Sequence, residues 1–289
     1  MQNNKIKIGF FGTPEYAVTT LEALKATGFE ISFVVTMPDR PQGRNLVLTP
    51  PPAKIWAEKN AVTVYQPEKL KDPQFKINLE KHGCDVFVVI AYGKIIPENI
   101  LNIPKATSLN IHGSLLPKYR GSCPIESAIL NDDKHTGVTI MKMDKEMDHG
   151  PIIAMKEVVV EPWPPTAEVL GRAIVSSGAT LLVSILPDWV SGKITPQEQD
   201  HSIATYTKMI QKEDGLIDLS ADPYQNFLKI QAYHGWPSAF FFVEKDGAKT
   251  RVKITEASFE NSRLIISKVI PEGKKEMDYG VWEGTLTAK

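Results

Sequence analysis

Apolar residues fall in short runs over the first 190 positions, and helical spacing separates them. Ile6-Lys7-Ile8-Gly9-Phe10-Phe11, Glu30 to Thr36, Asp85 to Ala91, Thr107 to Ile111 and Gly137 to Met141 read as strands. Val86-Phe87-Val88-Val89-Ile90 is apolar at every position, which suits a strand covered on both faces of a parallel sheet. Pro14 to Thr27 reads as a helix, with Thr13 as its N-cap and Pro14 at its first position. A longer helix is expected over Pro165 to Leu186. Alternating strands and helices predict an α/β fold: an open, mostly parallel, Rossmann-like sheet with helices on both faces.

The pattern changes after about Trp189. Gly192 to Thr207 is polar, contains Pro196 and reads as a linker. Asp222 is the expected N-cap of an amphipathic helix reaching Tyr233. Pro223 would be its first residue, and Tyr224, Phe227, Leu228 and Gln231 part of its inner stripe. Ala239 to Val243, an Asp246-Gly247 turn, Arg251 to Ala257 and Arg263 to Ile270 then predict a small, mostly β domain, a partly open barrel. The expected organisation is residues 1–190, a linker over 191–207, and residues 208–289.

Composition narrows the class. A chain of 289 residues suggests about two domains. Apolar residues make up 42% and charged residues 23%, as in ordinary globular proteins. The formal net charge of -1 argues against a polybasic coat for nucleic acid, though not against a local basic patch. Cys84 and Cys123 are too few for a disulfide framework. No apolar run approaches the ~18 residues of a membrane helix. The N-terminal apolar stretch breaks at Gly12, too soon for a signal peptide. The expectation is a cytoplasmic, reduced, soluble protein of enzyme size.

Gly9-Phe10-Phe11-Gly12 follows a strand and opens a helix, but it departs from G-x-G-x-x-G in spacing and lacks the third glycine. A tight strand-to-helix turn is the better reading. The densest chemistry lies in Ser108-Leu109-Asn110-Ile111-His112-Gly113-Ser114. A period of two puts Asn110 and His112 on one side of a strand, near the carboxyl edge where α/β sheets form ligand crevices. An amide donor beside an imidazole can hold a developing oxyanion and move a proton. Asp148, in the polar stretch Met143 to Gly150, is the natural third member: a carboxylate beside His112 would favour the charged ring and fix its tautomer. By sequence alone a solvated loop acid is the slightly better reading of Asp148, as of Asp144. His149 has no second His or Cys at ligand spacing, so no metal is expected.

At these residues the chain resembles the 10-formyltetrahydrofolate-dependent formyltransferases. Asn110-Ile111-His112-Gly113-Ser114-Leu115-Leu116-Pro117-Lys118-Tyr119-Arg120-Gly121 is similar to their signature, and Met147-Asp148-His149-Gly150 to the loop carrying their catalytic aspartate. Three further segments resemble the methionyl-tRNA formyltransferase branch: Pro38 to Arg44, Ala204 to Ile210 with Lys212-Glu213-Asp214, and Ala232 to Ala239 with Pro271 to Met277. The resemblance runs over nearly the whole chain. It implies a Rossmann-like catalytic domain and an OB-like C-terminal barrel that binds tRNA. It implies formyl transfer from 10-formyltetrahydrofolate to the α-amine of initiator methionyl-tRNA, with Asn110, His112 and Asp148 as catalytic residues. It places folate against Ile90, Tyr92, Gly93, Ser114, Leu115, Leu116, Pro117 and Asp144, and tRNA against Arg40, Arg44 and Lys208. No metal, no membrane partner and a monomer are expected.

Two departures bear on the acceptor. Asn45-Leu46-Val47-Leu48 follows Arg44 where the family carries lysines, so fewer phosphate contacts are expected there. The C-terminal domain is short, as if a hairpin between Phe259 and Arg263 were missing, and from Thr205 onward 12 Lys and Arg balance 12 Asp and Glu. These departures keep two alternatives open: formylation of an amino-sugar nucleotide, and a non-catalytic tRNA-binding protein.

Overall fold

The structure, a computed structural model, describes residues 5–43, 46–245 and 248–287. In chain order its elements are β1 (Lys7–Gly12), α1 (Glu15–Ala26), β2 (Glu30–Val35), β3 (Arg40–Gln42), β4 (Val47–Thr49), α2 (Pro52–Lys59) and β5 (Thr63–Tyr65). Then come α3 (Pro73–Glu80), β6 (Val86–Ile90), α4 (Glu98–Leu101), β7 (Ser108–His112), α5 (Pro124–Leu130), β8 (Gly137–Lys142), β9 (Ile152–Glu157) and α6 (Ala167–Val190). The last are α7 (Pro223–Ala232), β10 (Phe240–Lys245), β11 (Ala248–Glu260), β12 (Arg263–Pro271), β13 (Met277–Asp278) and α8 (Tyr279–Thr287). Two compact units divide the chain. One comprises residues 1–120, 137–158 and 172–206, the other residues 121–136, 159–171 and 207–289.

The first unit holds a seven-stranded sheet in the order β5-β2-β1-β6-β7-β8-β9. The strands from β5 to β7 are parallel, and β8 and β9 add antiparallel pairs at the β7 side. This is the Rossmann-like, mostly parallel sheet expected from the alternation of elements. β6 is buried at all five positions, as its unbroken apolar run requires. Strand order reverses about β1 and β6, so the crevice of the fold lies at their carboxyl ends. Gly9 and Gly12 serve packing there: a Cβ on Gly9 would lie 2.4 Å from the Phe33 ring, and one on Gly12 2.6 Å from the Ala17 Cβ.

Local chemistry departs from expectation at α1. The helix begins at Glu15 with Pro14 in the cap position, and the Thr13 hydroxyl makes no cap. It donates instead to the Tyr92 carbonyl, 2.8 Å away beyond the end of β6, because the extended Pro14 backbone carries it away from the helix. The polar stretch after α6, read as a linker, packs onto the first unit. Gln197 exchanges two backbone hydrogen bonds with Ile152 of β9, at 2.7 and 2.8 Å, and Gln199 is buried. By length and composition α6 is apolar enough to cross a membrane, the one such helix among the described residues. Its stripe Leu170, Ile174, Leu182 and Leu186 is buried, and Gly178 lets the helix close on Ile111 and Val138.

In the second unit β10, β11, β12 and β13 form an antiparallel sheet. Phe241, Val252, Ile254 and Val269 cover its inner face and meet Trp282 of α8, a helix that the sequence pattern did not announce. Asn261 and Ser262, both at positive φ, join β11 to β12 as a two-residue turn of the primed kind. The Asp222 side chain caps α7 by accepting from the Gln225 amide at 2.8 Å, as expected. The Asp246-Gly247 turn lies outside the described residues.

Candidate active site

β7 ends on Asn110-Ile111-His112, and the pleat aims the first and third side chains at one point. Asp148 meets them there from the loop between β8 and β9. Its Oδ1 accepts from Asn110 Nδ2 at 3.3 Å and lies 3.6 Å from His112 Nδ1. The His112 and Asp148 side chains are only 6% and 13% exposed, so water screens their interaction weakly. The other ring nitrogen, Nε2, stands 2.9 Å from the Tyr119 carbonyl. A carbonyl only accepts, so Nε2 carries a hydrogen. The Tyr119 backbone therefore sets the tautomer that the sequence reading credited to Asp148. With Nε2–H fixed, a neutral ring would present its Nδ1 lone pair to a carboxylate. A doubly protonated ring satisfies both neighbours.

The Asp148 loop is tightly held. Asp148 adopts φ 51, the left-handed region, and a Cβ on Gly150 would sit 2.0 Å from the Lys142 carbonyl oxygen, so only glycine fits there. Asp144 is half-buried and bonded within its own loop. Its Oδ1 accepts from the Glu146 amide at 2.8 Å, and its Oδ2 accepts from His149 Nδ1 at 2.7 Å. The His149 ring in turn stacks on His201, with centroids 4.1 Å apart and planes 2° from parallel.

The positions expected to meet folate divide into two groups. Tyr92 and Gly93 line a cleft of about 420 Å³ together with Thr13, Met37 and Arg40, beyond the ends of β1, β2 and β6. Ile90 and the Tyr92 ring are buried, the ring edge-on to Phe11 with its hydroxyl unpartnered, and burial pushes that phenol up to about 12. Ser114 and Leu116 are interior. The Ser114 hydroxyl donates to the Lys118 carbonyl at 2.6 Å, and Leu116 packs on Met141 and Ile152. Leu115 and Pro117 are half-buried beside them.

Arg40 is exposed on the β3–β4 hairpin. Asp39 anchors the root of that hairpin: Gln66 and then Lys54 bind its carboxyl and hold it below the usual carboxylate range. Leu46, Val47 and Leu48 are exposed on the same hairpin, and Arg44 lies outside the described residues. Lys208 is exposed in the second unit. Among the described residues no three His, Cys, Asp or Glu side chains group as metal ligands.

Comparison with known proteins places this geometry. Residues 5–186 match the formyl transferase family model. The chain is 48% identical over 239 residues to the methionyl-tRNA formyltransferase of Chloroflexus aurantiacus, spanning 82% of this chain and 76% of the relative. It is 36% identical over 298 residues to that of Desulfotalea psychrophila, spanning 96% and 91%. The chain belongs to the methionyl-tRNA formyltransferase family. Solved structures agree on the fold. A methionyl-tRNA formyltransferase from Clostridium thermocellum superposes with a TM-score of 0.61 at 18% identity, over 94% of this chain and 99% of that one. An N-formyltransferase from Helicobacter canadensis, in complex with folinic acid and dTDP-3-aminofucose, gives 0.64 at 20% identity, over 89% and 88%.

Within this family member, sequence reasoning missed two buried polar residues, Arg120 and Gln199, bonded to each other and, through Gln199, to the Asp148 loop. Arg120 stood in the quoted signature without a role, yet it is 1% exposed and binds Gln199, His201 and Tyr206. Gln199 stood in a stretch with no periodicity. The one signal available was a cluster of hydrogen-bonding side chains in a supposed linker.

Proposed function

We propose that this chain transfers a formyl group from 10-formyltetrahydrofolate to the α-amine of methionyl-tRNA, acting in the cytoplasm as a monomer. The observation that carries the proposal is the convergence of Asn110, His112 and Asp148 on one carboxylate oxygen, in a sheltered site at the carboxyl edge of the sheet. The neutral amine attacks the formyl carbon, a C–N bond forms, and the carbonyl oxygen becomes an oxyanion. Asn110 has a second Nδ2 hydrogen to give to that oxygen, and the His112 ring supplies positive charge beside it. Asp148 holds that charge and accepts the proton released by the amine. The bond from the formyl carbon to folate N10 then breaks, and the proton passes to N10. The separations of 3.3 and 3.6 Å are long for proton transfer, as is common before substrate closes a site.

Tyr92 and Gly93 share their cleft with Arg40. On this reading they would receive the folate and the tRNA end side by side, with Ile90 and Leu115 to Pro117 supporting the folate side. Arg40 meets the acceptor-stem phosphates, and Lys208 and residues 208–289 provide further tRNA contacts. The test is an acceptor panel with 10-formyltetrahydrofolate. Formylation of methionyl-tRNA and none of a 4-amino sugar nucleotide supports the proposal. The reverse pattern assigns the amino-sugar acceptor, and salt-sensitive tRNA binding without transfer to any amine assigns a non-catalytic binder.

A further inference from the structure

The residues after Gly192 cross behind the triad and grip both of its segments. On one side, the Thr205 Oγ1 accepts from the Tyr119 amide at 2.8 Å, and the Thr205 carbonyl accepts from the Arg120 amide at 2.8 Å. These bonds fix the peptide whose carbonyl receives His112 Nε2. On the other side, Gln199 Nε2 donates to the Asp148 carbonyl at 3.0 Å and to the Gly150 carbonyl at 2.7 Å. Its Oε1 accepts from Arg120 Nη2 at 2.7 Å and from Nε at 3.2 Å. Guanidinium groups only donate and carbonyls only accept, so the amide has one allowed orientation. Both of its N–H groups and its oxygen are engaged, and Gln199 and Arg120 are 5% and 1% exposed.

We propose that Gln199, oriented by Arg120, is a positioning residue for the triad: it fixes the backbone on both sides of His149 and so aims the Asp148 carboxylate at Asn110 and His112. Asp148 sits at φ 51, a conformation a non-glycine residue keeps only when its surroundings impose it. Gln199 supplies that constraint from one side and the Gly150–Lys142 contact from the other. The substitutes of similar size each lose part of this pattern. Glutamate would turn an oxygen towards two carbonyls, asparagine falls one methylene short, and methionine leaves both carbonyls without this donor.

The inference rests on the formyl-transfer reading for its kinetic test and on the geometry alone for its second. In a double-mutant cycle, Gln199→Met lowers kcat by about 10- to 100-fold, the range for a displaced catalytic group. KM for the folate stays within about twofold, and the alkaline and acid limbs of the kcat–pH profile move. In the Asp148→Ala background the same substitution costs less than about twofold, because a residue acting through Asp148 has nothing left to position. An equal loss in both backgrounds, or wild-type kcat, overturns the proposal. If Gln199→Met does not fold, Gln199→Asn is carried through the same cycle. Hydrogen exchange in the free protein gives an answer independent of activity: Gln199→Met speeds exchange of the 144–150 amides by about tenfold and leaves β6 unchanged. Unchanged exchange in that loop overturns the proposal. Wild-type protein that formylates no acceptor overturns the functional reading instead, and leaves the exchange test to decide this one.

Discussion

Replacing Asp148 by asparagine keeps the shape of the side chain and removes its charge. In the structure that charge lies 3.6 Å from His112 Nδ1, with both side chains largely withdrawn from water. Two unit charges at that separation attract by about 1 kcal/mol in the dielectric of water and by about 5 kcal/mol at the effective value near 20 that suits protein sites. The ring is called on as a cation in the transition state, so this attraction is lost from the barrier. Each 1.36 kcal/mol is a factor of ten, which gives a fall in kcat of about 10- to 10³-fold. The low exposure of the pair favours the upper part of that range. The assay is steady-state formylation of methionyl-tRNA with both substrates saturating, repeated across pH. Folate affinity, measured separately by equilibrium binding, should change little, because Asp148 faces the ring rather than the cleft lined by Tyr92 and Gly93. A variant within twofold of wild type at every pH would refute the electrostatic role of Asp148.

Two other substitutions test the supporting structure. Gly150→Ala forces a methyl group into the Lys142 carbonyl, a strain of about 1–3 kcal/mol, so the melting temperature falls by roughly 2–10 °C and formylation falls with it. A melting curve that matches wild type would show that the loop yields. Burial raises the Glu126 carboxyl above its ordinary value near 4.5. A carboxyl raised by folding adds stability below its unfolded value, and that stability is lost as pH rises through the folded value. Glu126→Gln, neutral at every pH, should therefore melt higher than wild type near neutral pH and equal to it at about pH 3. Equal melting temperatures at both pH values would count against a buried, ionised Glu126.

The sequence carried what depends on local repetition. Period-two and continuous apolar runs marked β1, β2, β6 and β7, because a strand buried in a parallel sheet must be apolar wherever it touches helices. Asp222 and Pro223 marked the start of α7 through cap chemistry confined to four residues. Asn110 and His112 were paired by the pleat alone. The polar stretch around Asp148 suggests it as a third member and leaves a solvated loop acid open; its Oδ1 lies 3.3 Å from Asn110 Nδ2 and 3.6 Å from His112 Nδ1. The edge strand β9 escaped notice because only one of its faces is covered and its last three residues are exposed. Tertiary structure alone decided the rest: the tautomer of His112, set by the backbone of Tyr119, and the grip of Gln199 on Asp148 and Gly150. The Gln199 bonds join a side chain to backbone groups 51 and 49 positions away, and the His112–Tyr119 bond depends on how the chain turns over the 7 positions that separate them. They need one correctly placed residue rather than a repeating face, so they leave no period in the sequence to read.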